Sequence, residues 1–166
     1  MDCLIGFIGY DGRVEADSGL YLTSLPGVTV DLISGITDDD ELEDKTWADI
    51  EKRSILKFRT FFLNELNKCW NLTSISVAEC LICGNKDLLS VAFWYLCGAE
   101  MMSETIGSER TNRFTTVDID KAQNLRDEFM DIFHNELYTA VAGIDLSLCD
   151  ESPEHGGDIQ IFYTMP

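Results

Sequence analysis

Cys80-Leu81-Ile82-Cys83 places two thiols three residues apart. Such a pair can exchange electrons with a disulfide or donate two sulfurs to zinc. A structural zinc site needs a second pair of ligands at suitable spacing. Cys97 stands alone in the apolar run Phe93-Trp94-Tyr95-Leu96-Cys97, and the two histidines, His134 and His155, are isolated. The residues inside the pair are themselves apolar, which suits burial. The thiols therefore read as small hydrophobes, with no metal and no cofactor expected. Cys3, Cys69 and Cys149 complete a set of six. An even count admits disulfides, but Met1 to Gly9 has no basic stretch and too short an apolar run for a secretion signal. The expectation is a cytosolic chain with all six thiols reduced.

Other motifs lead to less. Gly6, Gly9 and Gly12 form neither a dinucleotide fingerprint nor a phosphate loop, and no Lys-Ser/Thr follows them. Asp38-Asp39-Asp40 resembles the start of a calcium loop. Counted from Asp38, however, Glu43 stands where the loop needs glycine, and Asp49 stands where it usually has glutamate. No nucleophile and base form a recognisable set. The sequence argues for a protein that assembles and against an enzyme.

Charge is the outstanding feature. The chain has 166 residues, 45% of them hydrophobic, with a net charge of −18. That composition is globular. The charge opposes tight binding to duplex DNA, where affinity comes from Lys and Arg displacing counterions. It equally opposes docking on anionic membranes, and no segment reaches the roughly 18 apolar residues of a span. Lys52, Arg53, Lys57 and Arg59 cluster within eight residues, whereas acids dominate 38–51 and 118–136. In a ring, the basic patch of one subunit can meet an acidic patch of the next.

The positioning elements divide the chain in three. Residues 1–36 read as an extended N-terminal arm with short β segments: Leu4 to Ile8, a turn at Asp11-Gly12, the Pro26-Gly27 turn, and alternation at Val28, Val30 and Leu32. Residues 37–148 read as a helical bundle domain. A helix from about Thr46 to Cys69 buries Ile55, Phe58, Phe62, Leu66 and Cys69, flanked by Trp47, Ile50 and Phe61. A second, from about Asn85 to Thr105, is apolar nearly all round, and Gly98 inside it marks a kink or close contact. A third, from about Val117 to Val141, buries Ala122, Leu125, Phe129, Ile132, Phe133 and Leu137. Residues 149–166 read as a loop and a strand, Ile159 to Tyr163, able to pair with the N-terminal one. The fold class is mainly α: a three-helix bundle with an extended arm and a short terminal β element.

Asp2-Cys3-Leu4-Ile5-Gly6, followed by Gly19-Leu20-Tyr21-Leu22-Thr23-Ser24-Leu25-Pro26-Gly27-Val28, resembles the N-terminal signature of small structural proteins of crAss-like phages and related elements of gut Bacteroidetes. Thr23-Ser24 stands where that signature often has Asn-Asp or Asn-Ser. The motif covers about a fifth of the chain. The acidic stretch followed by helices is similar to the head–tail connector architecture. The resemblance implies a virion protein forming a ring, commonly dodecameric, below the portal protein. It implies host cytoplasm during assembly and duplex DNA passing through without tight binding. Leu20, Tyr21, Leu25, Pro26 and Gly27 are then the arm's contacts with neighbours, and Lys52, Arg53, Lys57 and Arg59 the basic side of a subunit interface. Asp38, Asp39, Asp40, Glu41, Glu43 and Asp44 are then an acidic channel surface. The rival reading is an acidic DNA mimic or other protein-binding module. It explains the charge equally well and leaves the apolar arm unexplained.

Overall fold

The computed structural model describes residues 1–9, 16–29, 40–70, 75–107 and 119–146, with side chains in the first helix from Trp47 onward. These residues are mainly helical, with a short parallel strand pair. Helix α1 spans Asp40–Trp70, α2 Ile75–Gly84, α3 Lys86–Gly107 and α4 Ile119–Ala142. Strands β1 (Ile8–Gly9) and β2 (Leu20–Tyr21) run parallel, with Ile8 opposite Leu20.

Apolar periodicity accounts for the long helices. Helix α1 buries Trp47, Ile50, Phe58, Phe62 and Leu66; α4 buries Ala122, Leu125, Phe129, Phe133, Leu137 and Val141. Helix α3 is buried on most sides, through Leu89, Ala92, Phe93, Leu96, Cys97, Ala99, Met101 and Met102. It is the central helix, as an all-round apolar run requires. Phe58 is fully enclosed where α1, α3 and α4 meet. Its ring lies edge-on to Phe93 at 5.3 Å and tilted to Phe133 at 6.1 Å, separations at which aromatic pairs add to burial. Cys69, expected in the buried stripe of α1, is exposed. It lies one residue from the helix end.

Helix α2 was not expected. It carries the Cys80/Cys83 pair and buries Ala78, Leu81 and Ile82 at three- and four-residue steps. It meets α3 at a bend of 102°. Asn85 builds the corner: its backbone N–H and its side-chain Nδ2 each donate to the Leu81 carbonyl at 3.0 Å. Its Oδ1 accepts from the Asp145 N–H at 3.3 Å. The side chain thereby adds a second bond to the Leu81 carbonyl at the end of α2 and ties the corner to the segment after α4. Among the described residues no single helix is long and apolar enough to cross a membrane.

The described part of residues 1–36 is not an extended arm. It folds back and completes the core. Leu4, Phe7, Ile8, Leu22 and Leu25 are each 2% exposed or less. Trp94 Nε1 of α3 donates to the Tyr21 carbonyl at 3.1 Å, and Ser18 Oγ donates to the Phe7 carbonyl at 2.9 Å. Leu25 to Val28 form a turn in which the Val28 N–H donates to the Leu25 carbonyl at 3.2 Å. Pro26 supplies its preset φ, and Gly27 takes φ +78°, which makes it a type II turn. The reason for the seat is Gly98: a Cβ there would collide with Leu25 Cδ1 and approach Phe129 Cδ2 to 3.2 Å. The glycine marks a close contact, with the N-terminal segment and α4 alike. Val28 lies outside the strands. Val30, Leu32, the Asp11-Gly12 turn, the whole of 149–166 and the strand expected there lie outside the described residues.

The cysteines also correct the sequence expectation. Cys3 and Cys83, 80 positions apart, are joined by a disulfide, and Cys80 is disulfide-bonded as well. Cys69 and Cys97 are free. The expectation of six reduced thiols rested on the N-terminal composition and on apolar neighbours. It could not foresee that the first 3₁₀ turn, Asp2–Leu4, lies against the end of α2.

Candidate assembly surfaces

Each predicted interface residue has a definite place. Leu25 is spent inside the chain's own core, 2% exposed. Leu20 and Tyr21 are half-buried, and the Pro26-Gly27 turn faces solvent. Of the expected anchors, the turn and the outer parts of Leu20 and Tyr21 remain available to a neighbour.

The basic cluster is largely neutralised within the chain. Arg53 pairs with Glu104 at 2.5 Å, Lys57 with Glu100 at 2.6 Å and Arg59 with Glu79 at 2.9 Å. The first two pairs clamp α1 to α3, and the third ties α1 to α2. Helical spacing explains them, since Arg53 and Lys57 are four residues apart and meet Glu104 and Glu100, also four apart. Glu100 is 6% exposed and keeps its charge company with Lys57. Removing Lys57 would strand a buried carboxylate. Lys52 is exposed and makes no ion pair among the described residues.

The acidic surface that the structure displays is on α4. Asp120, Asp127, Glu128, Asp131 and Glu136 are all exposed there, against Lys121 and Arg126 as the helix's cations. Arg126 is engaged by Asp127 at 2.7 Å. The side chains of Asp40, Glu41, Glu43 and Asp44, and all of Asp38 and Asp39, lie outside the described residues.

Two features escape sequence reasoning. Leu56 is 47% exposed, off the buried stripe of α1, and Ile5 is 58% exposed on the N-terminal turn. Together with Met1, Asp2, Ala48, Lys52 and Ile55 they line a cleft of about 350 Å³. Glu51 is the other feature. It borders that cleft at only 9% exposure and accepts the Gly6 N–H at 2.5 Å. Burial raises its carboxyl above the ordinary range, and the bond from Gly6 only partly opposes this. The one available hint was an acid within the apolar face that runs from Trp47 to Ile55.

The sign of the resulting pH effect follows. A carboxyl whose folded-state pKa is raised opposes folding when ionised. That penalty is full above the folded-state pKa, shrinks as pH falls, and is gone below the ordinary value of 4.5. Glu51→Gln keeps an oxygen acceptor for Gly6 and removes the charge. It is expected to melt at or a few degrees above the parent at pH 7, with the two curves converging near pH 4. Thermal melts across that range check it; a variant less stable than the parent at pH 7 and equal to it nowhere would contradict it.

Among the described residues no three His, Cys, Asp or Glu side chains gather in a way that could hold a metal ion. Burial pushes the Cys97 thiol far up, a hydrogen bond with Ser54 only partly opposing it, so it is a poor nucleophile. Compared with known proteins, the chain matches no family model, no curated protein and no solved structure.

Proposed function

We propose that the chain is a virion structural protein forming a ring at the portal and head–tail junction of a tailed phage. Its outward carboxylates line a passage for DNA. The observation that carries the reading is the placement of charge. Arg53, Lys57 and Arg59 are occupied by carboxylates of the same subunit, while α4 turns five acids to solvent. Phosphates meet repulsion and few free cations, so DNA slides without sticking. The N-terminal signature supplies the link to crAss-like phages. On this reading the long helices α1, α3 and α4 are the connector-like bundle, α2 is a short addition, and the Pro26-Gly27 turn with Leu20 and Tyr21 touches a neighbouring subunit or the portal protein. The ring is commonly dodecameric in such junctions, made in host cytoplasm and resident in the virion. It has no catalytic role, no cofactor and no membrane partner.

The rival reading, an acidic DNA mimic that occupies a basic groove of another protein, gains from one observation. Leu22 and Leu25 are buried in the chain's own core, so among the described residues the N-terminal segment is not an exposed apolar arm that the mimic reading must explain. Both readings expect no retardation of duplex DNA by micromolar protein at physiological salt. A salt-sensitive shift would sink the passage reading. Competition with DNA for a nuclease separates the two: a mimic competes, and a ring protein does not.

A further inference from the structure

We propose that Cys3 and Cys83 form a reversible redox lock coupling the N-terminal segment to α2. The thiols come from positions 80 residues apart, and contacts other than the bond hold the chain on either side of them. Leu4, beside Cys3, is 1% exposed, and Ile82, beside Cys83, is fully buried. Gly6 is held independently by Glu51, and Lys86, just past α2, lies over the Phe7 ring at 5.3 Å. The pair is therefore prearranged in its dithiol form. Cys3 and Cys83 are both only half-buried, so a small thiol or disulfide in solution can reach them. Cys97, sealed in the core, takes no part.

Closure is a two-electron exchange with a low-molecular-weight disulfide. One protein thiolate attacks it, forming a mixed disulfide and releasing one small thiol. The second protein thiolate attacks the protein sulfur of that mixed disulfide, forms the Cys3–Cys83 bond and releases the second small thiol. Two protein thiols and one small disulfide thus become one protein disulfide and two small thiols. Excess monothiol runs the same steps backwards.

The lock changes how the subunit opens locally. Helix α2 has 10 residues, too few to persist without tertiary support. In the dithiol form, the N-terminal turn and α2 open separately. In the disulfide form they open only together, because the closed loop removes chain entropy from the open states. A subunit made under reducing conditions is loose at these two places and stiffens on oxidation. The lock is a property of the isolated subunit and does not depend on ring assembly.

The test uses the full chain equilibrated with millimolar reduced glutathione or with glutathione disulfide. Free thiols are trapped by alkylation and mapped by peptide mass, and amide hydrogen exchange is followed in both forms. Expected are free Cys3 and Cys83 in glutathione, a Cys3–Cys83 crosslink in glutathione disulfide, and exchange at residues 1–9 slower by about tenfold or more in the oxidised form. Cys3→Ser should keep its helical circular dichroism and lose the redox response at residues 1–9. A crosslink that persists in the folded protein under millimolar glutathione would make the bond a permanent staple and overturn the proposal. So would equal exchange at residues 1–9 in both forms, or a Cys3→Ser variant that responds as the parent does.

Discussion

Deleting residues 1–30 yields an insoluble or molten chain, and Leu25→Ala alone lowers subunit stability by about 2–5 kcal/mol. The expectation follows from where the segment sits. Leu4, Phe7, Ile8, Leu22 and Leu25 are at most 2% exposed, and Leu25 rests on α3 at Gly98. Truncation would uncover Gly98, on which Leu25 rests, and Leu125, beside Gly27, apolar surface of the kind that drives aggregation. The larger loss belongs to the deletion, because it also removes the Trp94 bond to Tyr21 and leaves the Glu51 carboxylate without Gly6. Urea unfolding measures the point variant; dye binding and near-UV circular dichroism diagnose the truncation. A truncated chain that melts cooperatively with intact tertiary signals would show that α1, α3 and α4 close over the gap, and that the segment is an appendage after all.

Gly98→Ala is the second large effect, and its value lies in how it couples to Leu25. Alanine normally gains about 1 kcal/mol over glycine inside a helix. Here the added methyl lands on Leu25 Cδ1 and within 3.2–3.3 Å of the Phe129 ring. Leu25 has no solvent to swing into at 2% exposure. Overpacking of that kind costs about 1–3 kcal/mol, so the gain is cancelled and the net effect runs from none to a loss of about 2 kcal/mol. In the double variant Gly98→Ala with Leu25→Ala the colliding methyl is absent. The two losses are expected to fall short of additive by about 1 kcal/mol or more, the range for residues in direct contact. Additive losses would mean that the N-terminal segment does not rest on α3 at Gly98.

The parts of this fold that could be read from the chain are those set by local repetition. Phe58, Phe62 and Leu66 on α1, and Phe129, Phe133 and Leu137 on α4, recur at helical spacing and are fully or almost fully buried. Gly98 signalled a close contact inside an otherwise helical run. What could not be read depends on partners distant in sequence. The N-terminal segment has two two-residue strands and two single 3₁₀ turns, so no period announces which side chains go inside. Leu22 and Leu25 are three apart, but their burial is decided by the seat that α3 and α4 form. Helix α2 carries a weak local signal, because its stripe, Ala78, Leu81 and Ile82, spans little more than one turn. The pairing of Cys3 with Cys83 joins two segments that no local rule connects. The cationic cluster was legible as a cluster. That Glu79, Glu100 and Glu104 neutralise it within the subunit was not, because those acids lie on other helices.

The proposed ring is tested most directly by imaging the purified chain, alone and with a phage portal protein, by negative-stain electron microscopy, with native mass spectrometry on the same samples. Closed rings with cyclic symmetry, stacked on the portal when it is present, are the predicted result. A chain that stays monomeric at high concentration, adds nothing to the portal and competes with DNA for a nuclease would contradict the ring and leave the acidic mimic in its place.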